Sequence, residues 1–334
     1  MKTALISGIT GQDGAYLAQL LLSKGYRVVG LVRSTQNIKD IGLEYLQIRT
    51  QVRIVACDLT DLSQVITILR KYSPNEMYNL AAQSSVSLSF QQPIGTIQFN
   101  ILSVLNILEA IRILNINVKF YQASSSEIFG ATVLPINEES MIKPLSPYGI
   151  SKAAAHLITK NYREAYGIYS CCGILFNHES YLRSNDFFVK KVILEAIKIK
   201  NGESKVLKVG NIDVKRDFGW SPKYVEAMYL MLQQQKPEEF VICSGYSISL
   251  RSIINYIFEF LDIPLDKVII DQKLYRPTEI TDIYGDSSKA KEILNWDYSI
   301  TFYEVLNVLI NEELNNSEDK SKGKLFPEAA KERF

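Results

Sequence analysis

The stretch SGITGQDGAYLAQLL, residues 7–21, decides the fold. It follows the short apolar run KTALIS (2–7) and leads into apolar residues at helical spacing. Its glycines, Gly8, Gly11 and Gly14, allow a tight turn and a close approach of the backbone to a diphosphate. Because a helix N-terminus adds free N–H groups and a positive partial charge, this strand, turn and helix predict a dinucleotide-binding site.

Strand-like and helix-like segments alternate along the first half of the chain. The predicted strands are 2–7, 27–32, 52–57, 76–81, 118–123 and 169–175. The predicted helices include 16–26, 61–71, 95–114 and 147–166. Continuously apolar strands that alternate with helices are typical of a parallel sheet covered on both faces. We therefore expect an α/β protein with a Rossmann-type doubly wound parallel sheet.

After about residue 176 the alternation loosens, and we expect a smaller, mixed α/β substrate-binding domain. The segments predicted there are helices at 187–200 and 222–234 and strands at 205–209 and 239–245. The predicted division is 1–176 plus about 210–245 for the dinucleotide-binding Rossmann domain, about 177–209 and 246–315 for the substrate-binding domain, and 316–334 for a polar C-terminal tail.

Composition and charge argue against several classes of function. The chain has 334 residues, of which 47% are hydrophobic, and its 37 basic and 36 acidic residues leave a net charge of +1. This balance favours neither a nucleic-acid nor a membrane partner. Four cysteines without metal-ligand spacing and only two histidines predict no metal site and a reduced, cytoplasmic compartment. We expect neither a signal peptide nor a stretch that approaches the roughly 20 apolar residues of a membrane helix.

Residues that follow the next strands indicate which cofactor binds. An NAD site places a carboxylate after the second strand, whereas LVRST (31–35) has Arg33, which suits a 2′-phosphate and favours NADP. An arginine that is simply exposed is the alternative. Asp58, which follows the third strand, is expected near the adenine ring. Small residues in NLAAQSS (79–85) let the backbone pass close to the cofactor.

Tyr148 and Lys152 stand at i and i+4 after Pro147, which places both on one face of a predicted helix. A free tyrosine has a pKa near 10. A nearby ammonium and a cationic nicotinamide are expected to lower that pKa, so that the phenolate accepts a hydroxyl proton during hydride transfer. The alternative is an exposed pair without a catalytic role.

QASSSEIFG (122–130) places hydroxyls and a carboxylate at the carboxyl end of the fifth predicted strand. Ligands of doubly wound sheets bind at such ends. Ser125 and Ser126 are expected to hydrogen-bond a sugar hydroxyl and the tyrosine. Oxidation of a hydroxyl needs one base, so Glu127 suggests a second step, proton abstraction from the carbon beside a new ketone. The alternative is that Glu127 closes a hydrogen-bond network.

Several stretches together resemble the GDP-mannose 4,6-dehydratases, a family of extended short-chain dehydrogenase/reductases. The resemblance covers about residues 1–310 and rests on SGITGQDGAYLAQLLLSKGY, NLAAQSSVSLSF, QASSSEIFG, SPYGISKAA, GILFNHES, GNIDVKRDFG and RPTEITDIYGD. It implies conversion of GDP-mannose to GDP-4-keto-6-deoxymannose by C4 oxidation, elimination of water across C5–C6 and hydride return to C6, with NADP retained. Tyr148 would deprotonate the C4 hydroxyl, Lys152 would hold the ribose and Glu127 would take the C5 proton. Ser125 would polarise the C4 oxygen.

The resemblance also completes the predicted binding sites. The cofactor site comprises Gly8, Thr10, Gly11, Gln12, Asp13, Gly14, Arg33, Asp58, Leu59, Leu80, Ala81, Ala82, Tyr148, Lys152 and His178. The substrate site comprises Ser85, Ser87, Asn177, Lys191, Arg216, Arg276 and Glu279. For His178, a histidine whose ring nitrogens are both satisfied within the protein is the alternative.

Some positions depart from the family pattern. Arg33 stands where the family has a pair of arginines, YLRSND follows FNHES, Trp220 and Lys223 replace a histidine and an aspartate, and Ser85 replaces a histidine.

The alternatives that stay open are a GDP-heptose 4,6-dehydratase, an NADP-dependent reductase of a GDP-4-keto-6-deoxy sugar and a non-enzymatic NADP sensor. We expect a homodimer or homotetramer, with apolar faces of the helices at 95–114 and 147–166 between subunits.

Overall fold

The computed structural model describes residues 1–36, 38 and 40–321, with side chains up to residue 315. The strands of this part are β1 (Thr3–Ser7), β2 (Arg27–Val32), β3 (Arg53–Ala56), β4 (Glu76–Asn79), β5 (Lys119–Ser125), β6 (Ser170–Leu175), β7 (Asn177–Glu179), β8 (Leu207–Val209), β9 (Lys215–Trp220), β10 (Phe240–Ile242), β11 (Ser247–Ser249) and β12 (Val268–Ile270). Its α-helices are α1 (Gln12–Ser23), α2 (Ile41–Tyr45), α3 (Leu62–Tyr72), α4 (Val86–Gln91), α5 (Pro93–Leu114), α6 (Pro147–Tyr166), α7 (Phe188–Lys200), α8 (Ser221–Gln233), α9 (Leu250–Phe260), α10 (Ser288–Leu294) and α11 (Phe302–Ser321).

Seven strands form a fully parallel sheet in the order β10-β6-β5-β4-β1-β2-β3. Helices α1 and α8 pack on one face, where they meet Ala4 and Ile6, whereas α3, α5 and α6 pack on the other face, around Leu5. Side chains of a strand alternate between the two faces of a sheet, so β1 contributes to both cores. The prediction of a Rossmann-type doubly wound sheet is confirmed.

The remaining strands form two smaller sheets. In one, β9 pairs in parallel with β7 and antiparallel with β11, and in the other, β8 pairs with β12. These strands and helices α7, α9 and α11 surround a separate core that includes Ile193, Ile257 and Leu306. Within the predicted segment 210–245, β9 therefore belongs to a small sheet, whereas β10 belongs to the large sheet. The division into domains stays a prediction.

The C-terminal helix α11 extends into the predicted polar tail. It runs to Ser321, so residues 316–321 continue a helix rather than begin a tail. Residues 322–334 lie outside the described part of the chain. Within that part, Glu312 of α11 accepts a hydrogen bond from the Tyr45 hydroxyl at 2.9 Å. This bond connects the helix to α2, which packs beside the large sheet.

One helix passes the length and composition test for a membrane span, which corrects the expectation that no stretch comes close. It is α5, with a mean hydropathy of 1.5, and 39% of its most apolar window is buried. Core helices pass the same test, so the finding is weak support for a membrane span. The helix packs against α3 and α6, and its buried Asn100 donates to the Ser151 hydroxyl at 2.9 Å. Such a polar contact fits a helix packed within a protein.

The position of β1 sets the place of the site. It pairs with β2 on one side and with β4 on the other. The chain therefore leaves these neighbouring strands toward opposite edges of the sheet, and a crevice opens beyond their carboxyl ends.

Candidate active site

A cleft of about 850 Å³ opens at the carboxyl ends of the central strands. The predicted residues that line it are Gly8, Thr10, Gly11, Gln12, Asp13, Gly14, Arg33, Leu80, Ala81, Ala82, Ser85, Ser87, Ser125, Glu127, Tyr148, Lys152, Asn177, His178, Arg216, Arg276 and Glu279. A side cavity of about 230 Å³ adjoins the turn after β1, and Asp58 and Leu59 line it. The structure thus brings the first-half motifs and the second-half residues to one place.

The turn between β1 and α1 has the geometry of a diphosphate cradle. Gly8 has a φ of +71°, and a Cβ atom there would lie 2.9 Å from the backbone nitrogen of Ala81. A Cβ on Gly14 would lie 2.3 Å from the Gly8 carbonyl oxygen. Gly11 caps the N-terminus of α1 without a side-chain hydrogen bond, so the first N–H groups of the helix remain available for an anion. These residues fit a dinucleotide.

Gln12, Asp13 and His178 connect this turn to β7. The Gln12 amide donates to the His178 carbonyl at 2.9 Å, and the Asp13 carboxylate lies 2.9 Å from the Nε2 atom of His178. The Nδ1 atom of His178 lies 2.7 Å from the Phe176 carbonyl, so both ring nitrogens have partners within the protein. Burial raises the pKa of Asp13, but the charge and hydrogen bond of His178 and the Ser221 hydroxyl outweigh it and lower that pKa overall. The side chains of Gln12, Asp13 and His178 therefore hold the turn in place, beside any contact that they make with a cofactor.

Tyr148 and Lys152 lie on the first two turns of α6, with their side chains buried at the floor of the cleft. The helix begins at Pro147, and the Ser146 hydroxyl accepts a hydrogen bond from the Gly149 N–H at 3.0 Å. The Lys152 ammonium donates to the Ala123 carbonyl of β5 at 2.8 Å. Its Nζ atom lies 5.9 Å from the centroid of the Tyr148 ring.

Burial dominates the electrostatics of this pair. It raises the pKa of Tyr148 to about 12, although a hydrogen bond with Ser125 acts in the opposite direction. This direction is opposite to the one predicted from sequence, because the loss of hydration outweighs the neighbouring charges. Burial also lowers the pKa of Lys152 to about 8, so its ammonium is still the dominant form at neutral pH.

Glu127 lies in a short 3₁₀ turn that follows β5 directly. A Cβ atom on Gly149 would lie 2.6 Å from the Glu127 carbonyl oxygen, so the glycine permits α6 to pack closely against this turn. The negative charge of Glu127 contributes to the high pKa of Tyr148. Burial lowers the pKa of Arg216, and the charge of Glu127 acts in the opposite direction because it stabilises the guanidinium cation. Glu127 therefore lies between the tyrosine and a buried arginine.

Arg216, Arg276, Glu279 and Asn177 line the part of the cleft that the second half of the chain contributes. The Arg216 guanidinium is buried and donates to the Ile280 carbonyl at 2.6 Å. Its Nη2 atom lies 3.6 Å from the Glu279 carboxylate, and the nearest guanidinium nitrogen of Arg276 lies 4.0 Å from the same group. Two arginines that share one carboxylate provide planar donors suited to phosphate oxygens.

Two predicted residues, Ser126 and Lys191, do not line either cavity, and their assignments stay predictions. Ser126 follows the last residue of β5 and turns into the protein, where it is 4% exposed. Lys191 lies on the exposed side of the first turn of α7. Ser85 does reach the cleft, but its hydroxyl also accepts a hydrogen bond from the Leu88 N–H at 3.2 Å and so caps α4.

Arg183 and Phe99 are two of the cleft residues that sequence reasoning missed. Arg183 lies in the YLRSND segment, with its guanidinium carbon 3.6 Å from the centroid of the Phe187 ring. Its charge lowers the pKa of Tyr148, against the dominant effect of burial. Phe99 of α5 lines both the cleft and the side cavity, and the Arg33 guanidinium lies 5.5 Å from the centroid of its ring. An arginine four residues after β7 was a usable signal for Arg183, whereas nothing in the sequence pointed to Phe99.

The pH dependence of stability tests the burial of the Lys152 ammonium. Between pH 8 and 10.5 the unfolded chain binds more protons at this lysine than the folded chain, so its contribution to stability rises with pH. We expect the free energy of unfolding of wild type, relative to Lys152→Met, to increase by roughly 3 kcal/mol across this interval. Denaturant titrations at several pH values measure this difference.

The matched control for this prediction is Lys160→Met, which removes an ammonium from an exposed position of the same helix. Its free energy of unfolding relative to wild type should change little over the same pH interval. A difference between wild type and Lys152→Met that stays constant with pH would contradict the account of the buried ammonium.

Solved structures share the fold at low sequence identity. The dTDP-glucose 4,6-dehydratase DesIV of Streptomyces venezuelae, solved with NAD and TYD bound, superimposes with a TM-score of 0.83 at 18% identity, over 95% of this chain and 98% of that chain. RMD from Pseudomonas aeruginosa, complexed with NADPH, superimposes with a TM-score of 0.78 at 22% identity, over 93% and 98%. These neighbours bind nicotinamide dinucleotides, and at such identity they show the fold alone.

Relatives of known name are much more similar in sequence. GDP-mannose 4,6 dehydratase 1 of Arabidopsis thaliana is 42% identical over 324 residues, which are 94% of this chain and 90% of that protein. The GDP-mannose 4,6-dehydratase of Vibrio cholerae is 38% identical over 349 residues, 94% of each chain. The family model described as GDP-mannose 4,6 dehydratase matches residues 5–309. With the phosphate turn and the Tyr148, Lys152 and Glu127 constellation in one cleft, the chain belongs to the GDP-mannose 4,6-dehydratase family.

Proposed function

We propose that this chain is a GDP-mannose 4,6-dehydratase, a hydro-lyase that forms GDP-4-keto-6-deoxymannose. The observation that carries the proposal is that one cleft holds the diphosphate turn of β1 and α1 together with Ser125, Glu127, Tyr148 and Lys152. Oxidation of an alcohol requires a dinucleotide site, which the turn would provide, and a base for the hydroxyl proton, which Tyr148 would provide. Elimination of water requires a further base for the C5 proton, and Glu127 would supply it.

NADP is the cofactor that we propose. Gly8, Gly11 and the N-terminus of α1 would hold its diphosphate, and Arg33 would meet its 2′-phosphate at the rim of the side cavity. When bound, a nicotinamide dinucleotide takes up and returns a hydride. Retention of the cofactor through turnover would leave no net reduction. The Lys152 ammonium, which lies beside Tyr148, would hold the nicotinamide ribose.

Tyr148 is the proposed base for the C4 hydroxyl. Burial raises the pKa of its phenol to about 12, so the phenolate needs stabilisation at neutral pH. Ser125 already lowers that pKa by a hydrogen bond, and any cation that binds beside the ring acts in the same direction. Ser125 would also donate to the C4 oxygen. The proton of the hydroxyl moves to Tyr148, and C4 becomes a ketone as its hydride leaves.

Glu127 is the proposed base for carbon. The C4 ketone acidifies the C5 hydrogen, and the Glu127 carboxylate would take this proton. The hydroxyl at C6 then departs with a proton as water. A hydride added to C6 and a proton added to C5 complete the deoxy sugar. Since only water leaves the substrate, the mass of the product is lower by one water.

The guanidinium groups of Arg216 and Arg276 would bind the diphosphate of the substrate. Their planar donors match phosphate oxygens. Glu279, which both arginines approach, would accept hydrogen bonds from the ribose or the guanine. Asn177 follows β6, where it would reach the groups between sugar and nucleotide. In this arrangement the hexose would lie toward Glu127 and Tyr148, between the nucleotide end and the phosphate turn.

A glutamine at position 127 tests the division of labour between the two bases. Glu127→Gln keeps the shape of the side chain but removes proton-accepting ability. We expect product formation from GDP-mannose, measured as loss of one water by mass spectrometry, to fall by about 100-fold or more. Oxidation at C4 should persist, so addition of GDP-mannose should still generate the ultraviolet absorbance of reduced nicotinamide.

The matched control is Glu139→Gln, which makes the same change at an exposed position outside the cleft and should retain wild-type turnover. Equal loss of C4 oxidation and of water elimination in Glu127→Gln would contradict the proposed role. If wild type leaves GDP-mannose unchanged but dehydrates a GDP-linked heptose, the substrate assignment is wrong, whereas the chemistry is right.

A homodimer is the assembly that we propose, with α5 and α6 at its interface. Although α5 is the most apolar helix by the membrane-span test, only 39% of its apolar window is buried within the chain. On α6, Ile150 and Leu157 are about half exposed and lie two turns apart on one face. Exposed apolar residues on two adjacent helices are typical of a protein–protein interface.

An acidic residue at this surface tests the proposed interface. Leu157→Glu places a charge where the partner helix would pack, so we expect the mass measured by light scattering to fall from that of a dimer to that of a monomer. Leu265→Glu is the matched control, because Leu265 is equally exposed, at 51%, but lies outside α5 and α6. A wild-type protein that is monomeric at micromolar concentration would contradict the proposal.

A further inference from the structure

The Arg33 guanidinium has an aromatic neighbour that comes from a distant part of the chain. Arg33 follows β2 and is exposed, whereas Phe99 lies on α5 and is half-buried. The guanidinium carbon lies 5.5 Å from the centroid of the Phe99 ring, within the range of a cation–π contact. Among the described residues, no carboxylate forms an ion pair with Arg33 within 4.0 Å. The Phe99 ring is thus an aromatic partner of the cation.

Phe99 also has a defined place with respect to the two cavities. It lines the main cleft and, with Arg33, Asp58 and Leu59, the side cavity. The side cavity has an apolar wall and the Asp58 carboxylate at its edge, which suits an adenine ring. Arg33 lines the same cavity, so it would bind the 2′-phosphate of a dinucleotide held there.

A cation–π contact restrains a guanidinium without using its hydrogen-bonding capacity. The Phe99 ring accepts none of its N–H groups through an oxygen or nitrogen atom, so these donors stay available for a phosphate. A free arginine side chain loses considerable rotamer entropy when it binds a ligand. An arginine that is already held in place loses less, so it binds a phosphate more tightly.

We infer that Phe99 is a positioning residue that holds the Arg33 guanidinium for the 2′-phosphate and thereby favours NADP over NAD. This inference rests on the proposed use of NADP. It adds a residue 66 positions along the chain from the arginine, on the helix that also packs against α6. The arginine makes the contact with the cofactor, and the phenylalanine acts only through the arginine.

Affinities for NADP and NAD, measured by calorimetry on protein freed of bound nucleotide, test the inference. Phe99→Leu keeps an apolar side chain but removes the ring. We expect it to weaken NADP binding by about two- to five-fold, the strength of an exposed cation–π contact, and to leave NAD binding unchanged. Phe99→Tyr keeps the ring and should bind NADP as wild type does. Thermal unfolding of each variant verifies the fold.

A double-mutant cycle with Arg33→Met separates the two residues. Once the arginine is absent, Phe99→Leu should have no further effect on NADP affinity, because the ring acts through the guanidinium. Equal weakening of NADP and NAD by Phe99→Leu would overturn the inference, since it would mean direct contact with adenine. Unchanged NADP affinity in the Phe99→Leu variant would overturn the inference as well. If Arg33→Met itself leaves the ratio of NADP to NAD affinity unchanged, the proposed use of NADP fails, and this outcome is distinguishable from failure of the role of Phe99.

Discussion

The parallel pairing of β1 with both β2 and β4 is the constraint on which the rest of the site depends. Connections from these strands run to opposite edges of the sheet, so the space above their carboxyl ends is left open. Beside this space, Gly8 approaches the backbone of Ala81 so closely that a Cβ atom would lie 2.9 Å away. A side chain at Gly8 would therefore displace either the phosphate turn or the segment that leads to Ser85 and Ser87.

The acid–base residues depend on a second close approach, between β5 and α6. Lys152 donates to a β5 carbonyl, and Gly149 lets the first turn of the helix pack against the turn that carries Glu127. Tyr148 lies on α6 and Glu127 in the turn after β5, so a shift of α6 relative to β5 would change the distance between the two proposed bases. Burial there raises the pKa of Tyr148 and lowers that of Lys152. Two buried groups with shifted pKa values in one cleft are a common feature of catalytic centres.

Local patterns predicted most elements of the large sheet, because its strands are buried on both faces and its helices are long. The small sheet was harder to predict. Asn177–Glu179 is polar and three residues long, and its pairing with β9 depends on contacts some 40 residues away, as Asn177 with Phe218 shows. Ser125 and Ser126 are adjacent, and only the end of the strand decides which one faces the cleft. Phe99 illustrates the limit of a sequence reading, since its relation to Arg33 exists only after the sheet has formed.

In the proposed reaction, a single cleft both oxidises C4 and reduces C6 of one sugar. GDP-mannose that carries deuterium at C4 tests it most directly, with the position of the label in the product read by nuclear magnetic resonance. The account predicts a product that has lost one water and carries the deuterium at C6, because the hydride stays within the cleft between the two steps. Loss of the label from the dehydrated product, or its accumulation in free reduced cofactor, would contradict the account.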